Sequence, residues 1–471
     1  MSRRFQIKAI PSTWLENNGR RLDCGPYMSG AAEIRELLKR HRTELLPDLT
    51  AGHDGGIYNG PQFSRNYVDD AQYGVPFLTT TFMMQSDLSR LPLISARDAH
   101  SRKLSYLRVH QGMTLITCSG TVGRTTYARS DMNDVWSNQD ILKIVADPTR
   151  IRSGYLNAYL CTKFGVPFVL SGKYGSVITH LEPSHFADLA VPRLGDHIEQ
   201  RSHDLVEQAA QLLTQYQSNL NQATHLYFDS VGLRDITASE WRAWGSDIGF
   251  VAIADVRSLR ALNFNPRLNR LLQQIKGGEW KPLEALCLPE TIKRGGRYSR
   301  VDADPEYSYL MIGQKQIFWL RPEGRWIAKS CVSDEVLVEP GTILIAGAGT
   351  FGESELFCRS EFIWGKAVER AYSELFYRVV ANATVIPSAC LFAFMRSETA
   401  FRMLRSISFG SKLQYPLLTL LHELPVPYPP REIQGRIADL VIRAFEARDR
   451  AVELEDEARA MVERAIEEGG R

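Results

Sequence analysis

The sequence predicts an α+β protein, a tandem duplication of two β-rich domains separated by two long helices that pair as an antiparallel coiled coil. Three observations lead to this prediction. The chain of 471 residues repeats itself at a nearly constant offset, each half is rich in short β patterns and Gly/Pro turns, and each half ends in a long polar helix. We therefore expect two similar domains, each followed by a helix.

The internal repeat is visible in several segments that occur in the same order in both halves. The segment 112–123 (GMTLITCSGTVG) matches the segment 341–352 (GTILIAGAGTFG) at an offset of 229 in sequence number. Downstream the offset becomes 235, with YGSV from Tyr174 against FGSK from Phe409, and LAVP from Leu189 against LPVP from Leu424. A series of matches in fixed order indicates duplication, with halves of about 1–235 and 236–471.

Each half begins with a short amphipathic helix and continues with β-strands. Apolar spacing predicts helices at Ala31–His41 and Pro266–Lys276, and strands at Met113–Cys118 and Thr342–Ala346. Because turn residues separate the strand patterns, we expect the middle of each half to form small sheets.

The long helices carry a heptad pattern. The predicted seam of the second helix consists of Ile433, Ile437, Leu440, Ala444, Ala447, Ala451, Leu454, Ala458, Met461 and Ala465. The corresponding residues of the first helix are Ile198, Leu205, Ala209, Leu212, Tyr216 and Ala223, with Ser202 and Asn219 interrupting the seam. A heptad seam needs a partner helix, so the simplest arrangement pairs the two helices; the alternative is that each helix packs on its own domain.

Composition limits the class of protein. The chain is 44% hydrophobic and 23% charged with a net charge of +2, which is typical of globular proteins, and it contains no apolar run long enough to predict a membrane span. Its seven cysteines show no CxxC spacing, and its N-terminus does not resemble a signal peptide, so we expect a cytoplasmic protein with reduced thiols.

Several tempting chemical motifs are incomplete. Gly347–Gly352 matches GxGxxG, but the following residues do not predict a helix and the first copy has Cys118 in place of Gly347, so a turn between strands explains both copies. The histidines at 180, 185, 197 and 203 match no metal-ligand spacing, and the acidic pairs Asp69-Asp70 and Asp302/Asp304 are interpreted as loop residues. We therefore predict no catalytic residues, no metal site and no cofactor in this chain.

Local basic and aromatic clusters point to DNA. The segment 293–329 contains eight Lys/Arg against four Asp/Glu, interleaved with aromatic residues. Such side chains neutralise phosphates, and Arg, Asn and Gln also bond base edges; the alternative is a solvated β surface above core aromatics. The predicted DNA-binding residues are Asn59, Arg65, Arg124, Lys173 and Tyr174 in the first domain, and Arg294, Arg297, Tyr298, Lys315, Gln316, Lys412 and Gln414 in the second.

In these segments the chain resembles the specificity (S) subunit of type I restriction–modification systems. The resemblance rests on the segment 112–123 followed by SNQDILKI from Ser137, and on the segment from Tyr415 to Arg436 that leads into the second helix. It covers the chain from about Arg20 to Ala465. The second copy departs from the pattern, because it shows Trp364-Gly-Lys-Ala where a Ser-Asn-x-Asp counterpart is expected.

The resemblance implies a division of labour within a DNA-modifying complex. Each target-recognition domain would read one half of a split, asymmetric DNA target, and the helices would set the gap and dock two methyltransferase subunits. S-adenosylmethionine, ATP and Mg would belong to those subunits and to a restriction/translocase subunit. The implied domains are 1–195 and 257–429 for target recognition, 196–228 and 430–468 for the spacer helices, and 229–256 for a linker.

Three alternatives stay open at this point. The chain could be a DNA methyltransferase with its own recognition domain, which predicts binding of S-adenosylmethionine by the isolated chain. It could be an adaptor whose duplicated domains bind protein, which predicts no salt-dependent DNA binding. It could also read DNA for a different phage-defence methyltransferase complex.

Overall fold

The structure is a computed structural model that describes residues 7–17, 20, 22, 24–173, 179–246, 258, 260–353 and 355–469. The chain divides into two compact units. Unit 1 comprises the described residues of Met1–Met84, Leu91–Thr214 and Arg450–Arg471, and unit 2 comprises those of Gln85–Arg90 and Gln215–Asp449.

The helices are numbered along the chain. They are α1 (Ser12–Asn17), α2 (Gly25–Met28), α3 (Ala31–Leu38), α4 (Ala96–Ala99), α5 (Ser153–Leu160), α6 (Gly165–Ser171), α7 (Asp196–Ser230), α8 (Ala238–Ala243), α9 (Pro266–Lys276), α10 (Ser388–Met395), α11 (Glu398–Ser406), α12 (Leu418–His422) and α13 (Arg431–Glu468).

The strands are short and numerous. In unit 1 they are β1 (Thr43–Leu45), β2 (Ile57–Tyr58), β3 (Tyr67–Val68), β4 (Gly74–Leu78), β5 (Leu93–Ser95), β6 (Thr114–Thr117), β7 (Thr125–Tyr127), β8 (Trp136–Ser137), β9 (Ile141–Ile144) and β10 (Ala190–Pro192). In unit 2 they are β11 (Trp280–Pro282), β12 (Lys293–Arg294), β13 (Ser308–Ile312), β14 (Arg325–Ala328), β15 (Ile343–Ala346), β16 (Ser360–Phe362), β17 (Ala371–Tyr372), β18 (Phe376–Val379), β19 (Ser408–Gly410), β20 (Gln414–Pro416) and β21 (Pro425–Pro427).

Unit 1 contains two four-stranded sheets and a separate strand pair. The first sheet has the order β2-β9-β6-β7 and is antiparallel throughout, while the second has the order β3-β5-β4-β8 with β4 and β8 parallel. Strands β1 and β10 form the additional pair. Apolar side chains from the second sheet, among them Phe77, Ile94 and Trp136, form a buried cluster.

Unit 2 repeats this arrangement. Its first sheet has the order β12-β18-β15-β16, and its second has the order β14-β13-β17, with β13 and β17 parallel. Strands β11 and β21 pair as β1 and β10 do, and β19 and β20 form a hairpin. Its largest core cluster joins residues from α7, α9, α10, α11, α13 and the first sheet. The predicted α+β class and tandem duplication are therefore confirmed.

Both units contain segments of the two long helices. In unit 1, Arg201 of α7 lies 3.7 Å from Glu457 of α13 as an ion pair. In unit 2, the ring of Tyr216 of α7 meets the ring of Phe445 of α13 edge to face, with centroids 5.7 Å apart. The early part of each helix thus contacts the late part of the other, which confirms antiparallel pairing.

The seam differs in detail from the predicted heptads. Most predicted positions from Ile437 to Ala458 are buried, but after Ala458 the buried positions are Val462 and Ile466 instead of Met461 and Ala465. A strict heptad has a period of about 3.5 residues, whereas a straight helix has about 3.6, so the buried stripe drifts along a long helix.

The two polar residues of the α7 seam, Ser202 and Asn219, differ in burial. Ser202 is fully buried and its hydroxyl donates to Ile198 O at 2.8 Å, so the seam continues through it instead of being interrupted. Asn219 is half-buried, and the next residue, Leu220, is buried in the seam.

Among the described residues, no helix combines the length and hydropathy needed to cross a membrane.

Two further predictions need correction. Helix α9 has the predicted bounds, but α3 ends at Leu38 instead of His41, because His41 N donates to Leu38 O in a tight turn before β1. The counterpart of Ser137-Asn-Gln-Asp is not the segment at Trp364. It begins at Tyr372, because Asn138 N donates to Leu78 O just as Ser373 N donates to Ile312 O in the parallel pairs.

Candidate nucleic-acid interface

A glycine loop occupies the same place in both units. In unit 1, the segment 118–124 connects the antiparallel strands β6 and β7, and in unit 2, the segment 347–359 connects β15 and β16. Gly120 N donates to Thr179 O at 3.1 Å, and Gly349 N donates to Gln414 O at 3.2 Å. The duplicated contact joins each glycine loop to a segment that lies far along the chain.

In unit 2 a second segment is attached to the glycine loop. The side chain of Gln314 donates from Nε2 to Ala348 O at 3.0 Å and accepts from Ala348 N at 2.9 Å. These two bonds place the predicted residues Lys315 and Gln316 beside the loop. Lys315 is exposed with its Nζ 5.9 Å from the centroid of Trp319, and Gln316 is half-buried.

The β19–β20 hairpin borders the loop on its other side. Lys412 is exposed in the hairpin turn, and Gln414 is buried. The Nε2 atom of Gln414 donates to Ser411 O, whereas its Oε1 atom has no partner among the described residues. Gly410 has a φ of +117°, which permits the tight turn. A hydrogen bond within the turn therefore stabilises the hairpin, and Lys412 is exposed to solvent.

The basic segment 293–300, which begins with β12, contributes the remaining cations. Arg294 is exposed and its guanidinium lies 4.9 Å from the centroid of Tyr415 in the hairpin. Arg297 is also exposed, whereas Tyr298 is half-buried against a core cluster and burial raises its pKa. Arg300 pairs with both carboxylate oxygens of Glu374, so its charge is largely neutralised in place.

In unit 1 the predicted residues gather around the start of β9. Burial raises the pKa of Cys118 to about 11, and the side chain of Asn59 hydrogen-bonds to it, which opposes that increase. Arg65 donates to Gln139 Oε1 at 3.2 Å, and Cys118 N donates to Asp140 O at 2.8 Å. Asn59 and Arg65 thus both adjoin the segment that precedes β9.

The other predicted residues of unit 1 are less closely joined to this group. Arg124 N donates to Thr117 Oγ1 at 3.0 Å at the end of the glycine loop, and its side chain is half-buried. Lys173 is exposed just after α6. Tyr174 lies outside the described residues.

Within the described residues, no group of three or more His, Cys, Asp or Glu side chains is placed to hold a metal ion.

A cation lies in one of the two central strands of each first sheet, and it is buried in unit 1 and half-buried in unit 2. Lys143 of β9 pairs through its backbone with Tyr58 and Leu115, and its ammonium is fully buried with no hydrogen-bond partner among the described residues. Burial lowers the pKa of Lys143 to about 7. In unit 2, Arg378 occupies the corresponding place in β18 and donates to Leu337 O at 3.3 Å.

Sequence reasoning missed Gln314, Arg405 and Lys143. Gln314 stands directly before the predicted Lys315, but its two bonds to the glycine loop are invisible in the sequence. Arg405 of α11 donates to carbonyl oxygens of the same loop, although the two segments are far apart in the chain. Lys143 interrupts the apolar strand pattern ILKI, and a charged residue within such a pattern is the only feature of the sequence that indicates a buried cation here.

Among solved structures, the chain is similar to S subunits of type I restriction–modification systems. The S subunit from M. genitalium matches 90% of this chain and 94% of its own at 11% identity, with a TM-score of 0.37. The HsdS subunit from Thermoanaerobacter tengcongensis matches 90% of this chain and 96% of its own at 11% identity, with a TM-score of 0.25.

A third solved structure comes from work on the "structural basis underlying complex assembly and conformational transition of the type I R-M system". It matches 90% of this chain and 97% of its own at 12% identity, with a TM-score of 0.26. No family model matches the chain, and no curated protein matches it.

Proposed function

We propose that this chain is the DNA-binding specificity subunit of a type I restriction–modification complex. The observation that carries the proposal is the duplicated contact between Gly120 and Thr179 in unit 1 and between Gly349 and Gln414 in unit 2. One chain therefore holds two versions of the same loop assembly. A protein built in this way has two related surfaces with which to read two different sequences.

The side chains around these loops have the chemistry that DNA recognition requires. Arg294, Arg297, Lys315 and Lys412 are exposed in unit 2, where they can neutralise phosphates and supply salt-dependent affinity. Base discrimination needs bidentate donors and acceptors, worth about 1–3 kcal/mol for each good pair. Arg297 is the strongest candidate for such a contact because it is exposed and interacts with Glu374 only through its charge, whereas Arg300 forms an ion pair with that residue.

The finer parts of the proposal follow from the resemblance stated above. Each unit would read one half of a bipartite target, and α7 with α13 would set the gap and dock two methyltransferase subunits. The chain would be non-catalytic, with S-adenosylmethionine, ATP and Mg on the methyltransferase and restriction/translocase partners. The glycine loop of unit 2 joins antiparallel strands, which supports a structural use for Gly347–Gly352.

The test is a methylation map of host DNA, with and without the gene for this chain. We expect a split motif with a fixed gap that disappears when the gene is deleted and returns when it is restored. An unchanged map in cells that express the partner methyltransferase would contradict the proposal and favour the adaptor. Binding of S-adenosylmethionine by the isolated chain would instead favour the methyltransferase alternative.

A further inference from the structure

The glycine loop of unit 2 carries an insertion that the loop of unit 1 lacks. The two loops begin at the offset of 229 noted above, but β7 begins at Thr125 and β16 at Ser360, where the offset has become 235. Cys358 takes the place of Gly123, because Cys358 N donates to Ala346 O as Gly123 N donates to Thr117 O, and both residues have a positive φ, of +70° and +91°. The loop between Ala346 and Cys358 is therefore six residues longer than the loop between Thr117 and Gly123, and these additional residues are the insertion. Phe357, at the end of the longer loop, is buried.

One buried arginine holds this loop. Arg405 of α11 donates from Nη1 to Phe351 O at 2.8 Å and from Nη2 to Gly352 O at 2.9 Å. Longer bonds reach Glu355 O at 3.3 Å and Phe357 O at 3.4 Å. A single planar guanidinium thus spans four backbone carbonyls of the longer loop, a geometry that the single ammonium of lysine does not reproduce.

A second arginine of the same helix, Arg402, binds Glu353 of the longer loop. Arg402 makes a bidentate pair with Glu353, with Nη1 to Oε1 at 3.0 Å and Nη2 to Oε2 at 2.6 Å. Arg402 also bonds Glu398 one turn earlier in α11. The loop is therefore tied to a helix of the core by one side-chain pair and by four carbonyl contacts.

Unit 1 has neither the insertion nor these arginines. At the offset of 235, Arg402 and Arg405 correspond to Pro167 and Leu170 of α6. Leu170 lies against the short glycine loop there, because a Cβ atom at Gly123 would come within 2.7 Å of its Cδ2 atom. The two arginines and the insertion are thus found together in one copy and absent together from the other.

We infer that Arg405 is a positioning residue that holds the described residues of the loop from Gly347 to Phe357 in a preformed shape for DNA, and that this loop determines specificity in unit 2 alone. The inference rests on the proposed function. A loop ordered before binding loses less conformational entropy when it meets its ligand. The ring of Phe351 in this loop is exposed, and the loop is bonded at Gly349 and Ala348 to the segments that carry the exposed Lys412 and Lys315, which supply positive charge.

The first experiment measures the loop without DNA. Hydrogen exchange of the full chain should show protected amides around Gly352 and Phe357 in the wild type and faster exchange there in Arg405→Ala. Arg405→Lys should restore the charge but only part of the protection. Exchange in the short loop at Gly120 serves as the internal control and should not change in either variant.

The second experiment measures discrimination by the full chain in its complex, using duplexes with a mismatch in one half-site at a time. Arg405→Ala should lower discrimination at one half-site by about tenfold per base pair, the order of the affinity lost to one mismatch in a specific site, and leave the other half-site unchanged. Glu353→Gln, which removes only the charge that pairs with Arg402, should give a smaller loss at the same half-site.

Two outcomes would overturn the inference: unchanged loop exchange in Arg405→Ala, or equal loss of discrimination at both half-sites. If Arg405→Ala does not fold, Glu353→Gln decides, and full discrimination together with wild-type exchange in that variant overturns it. A wild-type chain without any split target would overturn the proposed function itself. Loss of loop protection in Arg405→Ala would then still establish the positioning role but not a role in reading DNA.

Discussion

Asp87 and Arg396 form a buried ion pair in unit 2, with 2.7 Å between Oδ2 and Nη2 and side-chain exposures of 13% and 5%. The guanidinium also donates from Nη1 to Leu220 O at 3.0 Å and to Thr224 Oγ1 at 2.7 Å. Asp87 belongs to the short segment Gln85–Arg90, which lies in unit 2 although its neighbours in sequence lie in unit 1. The ion pair therefore fixes this segment against α7 and the end of α10.

Asp87→Ala should lower the free energy of unfolding of the chain by about 3–5 kcal/mol, because it leaves the charge of Arg396 buried without its partner. Burial alone would raise the pKa of Asp87, but the attraction of Arg396 and Arg90 outweighs it and holds this pKa well below its usual range. The contribution should be complete above the unfolded pKa near 4 and should decrease gradually as the pH falls from there toward the much lower pKa of the folded state, so that only part of it is lost at pH 3. Urea unfolding at pH 7 and at pH 3 measures both effects.

The matched control is Asp302→Ala, which breaks another aspartate–arginine pair in the same unit. Asp302 and Arg325 are about half-exposed, so water already solvates both charges. Loss of an exposed pair should cost roughly 0–1 kcal/mol. Equal destabilisation by the two substitutions would contradict the role given to the buried pair.

Lys143→Met should stabilise the protein at neutral and acidic pH. Because burial lowers the pKa of Lys143 to about 7 from 10.5, the unfolded chain binds more protons than the folded chain between these values, and stability rises with pH there. The cost of the buried lysine is complete below pH 7. The variant should therefore gain stability on the order of a few kcal/mol at pH 6, and the gain should shrink toward pH 10.

Lys103→Met provides the comparison, since Lys103 is exposed in the same unit. Thermal or urea unfolding of both variants across this pH range separates the desolvation of Lys143 from the general effect of removing a lysine. A gain for Lys143→Met that does not vary with pH would show that packing, and not the charge, is responsible.

The elements that were predictable from the sequence are those with a local or repeated signal. Helix α9 was predicted from Pro266 to Lys276 because a proline at its first position and a regular apolar stripe mark both its start and its face. The duplication was visible because both copies keep the glycine loop. The end of α3 and the drift of the α13 seam could not be predicted from the sequence, because both depend on the packing of the folded chain.

The residue types of the candidate site could be predicted from the sequence better than their burial and contacts. Side-chain chemistry predicts DNA contacts for Arg294 and Lys412, and both residues are exposed, one in β12 and the other in the β19–β20 turn. The same chemistry predicts contacts for Gln414 and Tyr298, but one is buried and the other half-buried, and nothing local to either residue signals this. Arg405 was missed because its partners lie far from it in sequence, in the loop that precedes β16.

Val462→Ala should destabilise the protein more than Met461→Ala, although methionine loses the larger side chain. Val462 is fully buried in the seam of α13, whereas Met461 is partly exposed. Removing two buried methyl groups costs about 1.5 kcal/mol in transfer free energy, and the cavity that remains adds to this cost. Urea unfolding of the two variants distinguishes the observed seam from the predicted heptad, which would give the opposite order.

Arg297→Ala should weaken binding at one half of the target and leave sequence preference at the other half intact. Arg297 is exposed, whereas Arg300, three positions later, is held by Glu374 at 2.7 Å and serves as the matched control. If Arg297 contacts a phosphate, the slope of log affinity against log salt should fall by about 1 in the variant, and affinity should fall for all sequences in that half. If it contacts a base, the salt slope should change little while discrimination at one position falls by about 1–3 kcal/mol. Titrations of both variants with two half-site series at several salt concentrations separate these results, and equal losses at both halves would indicate a folding defect instead of a DNA contact.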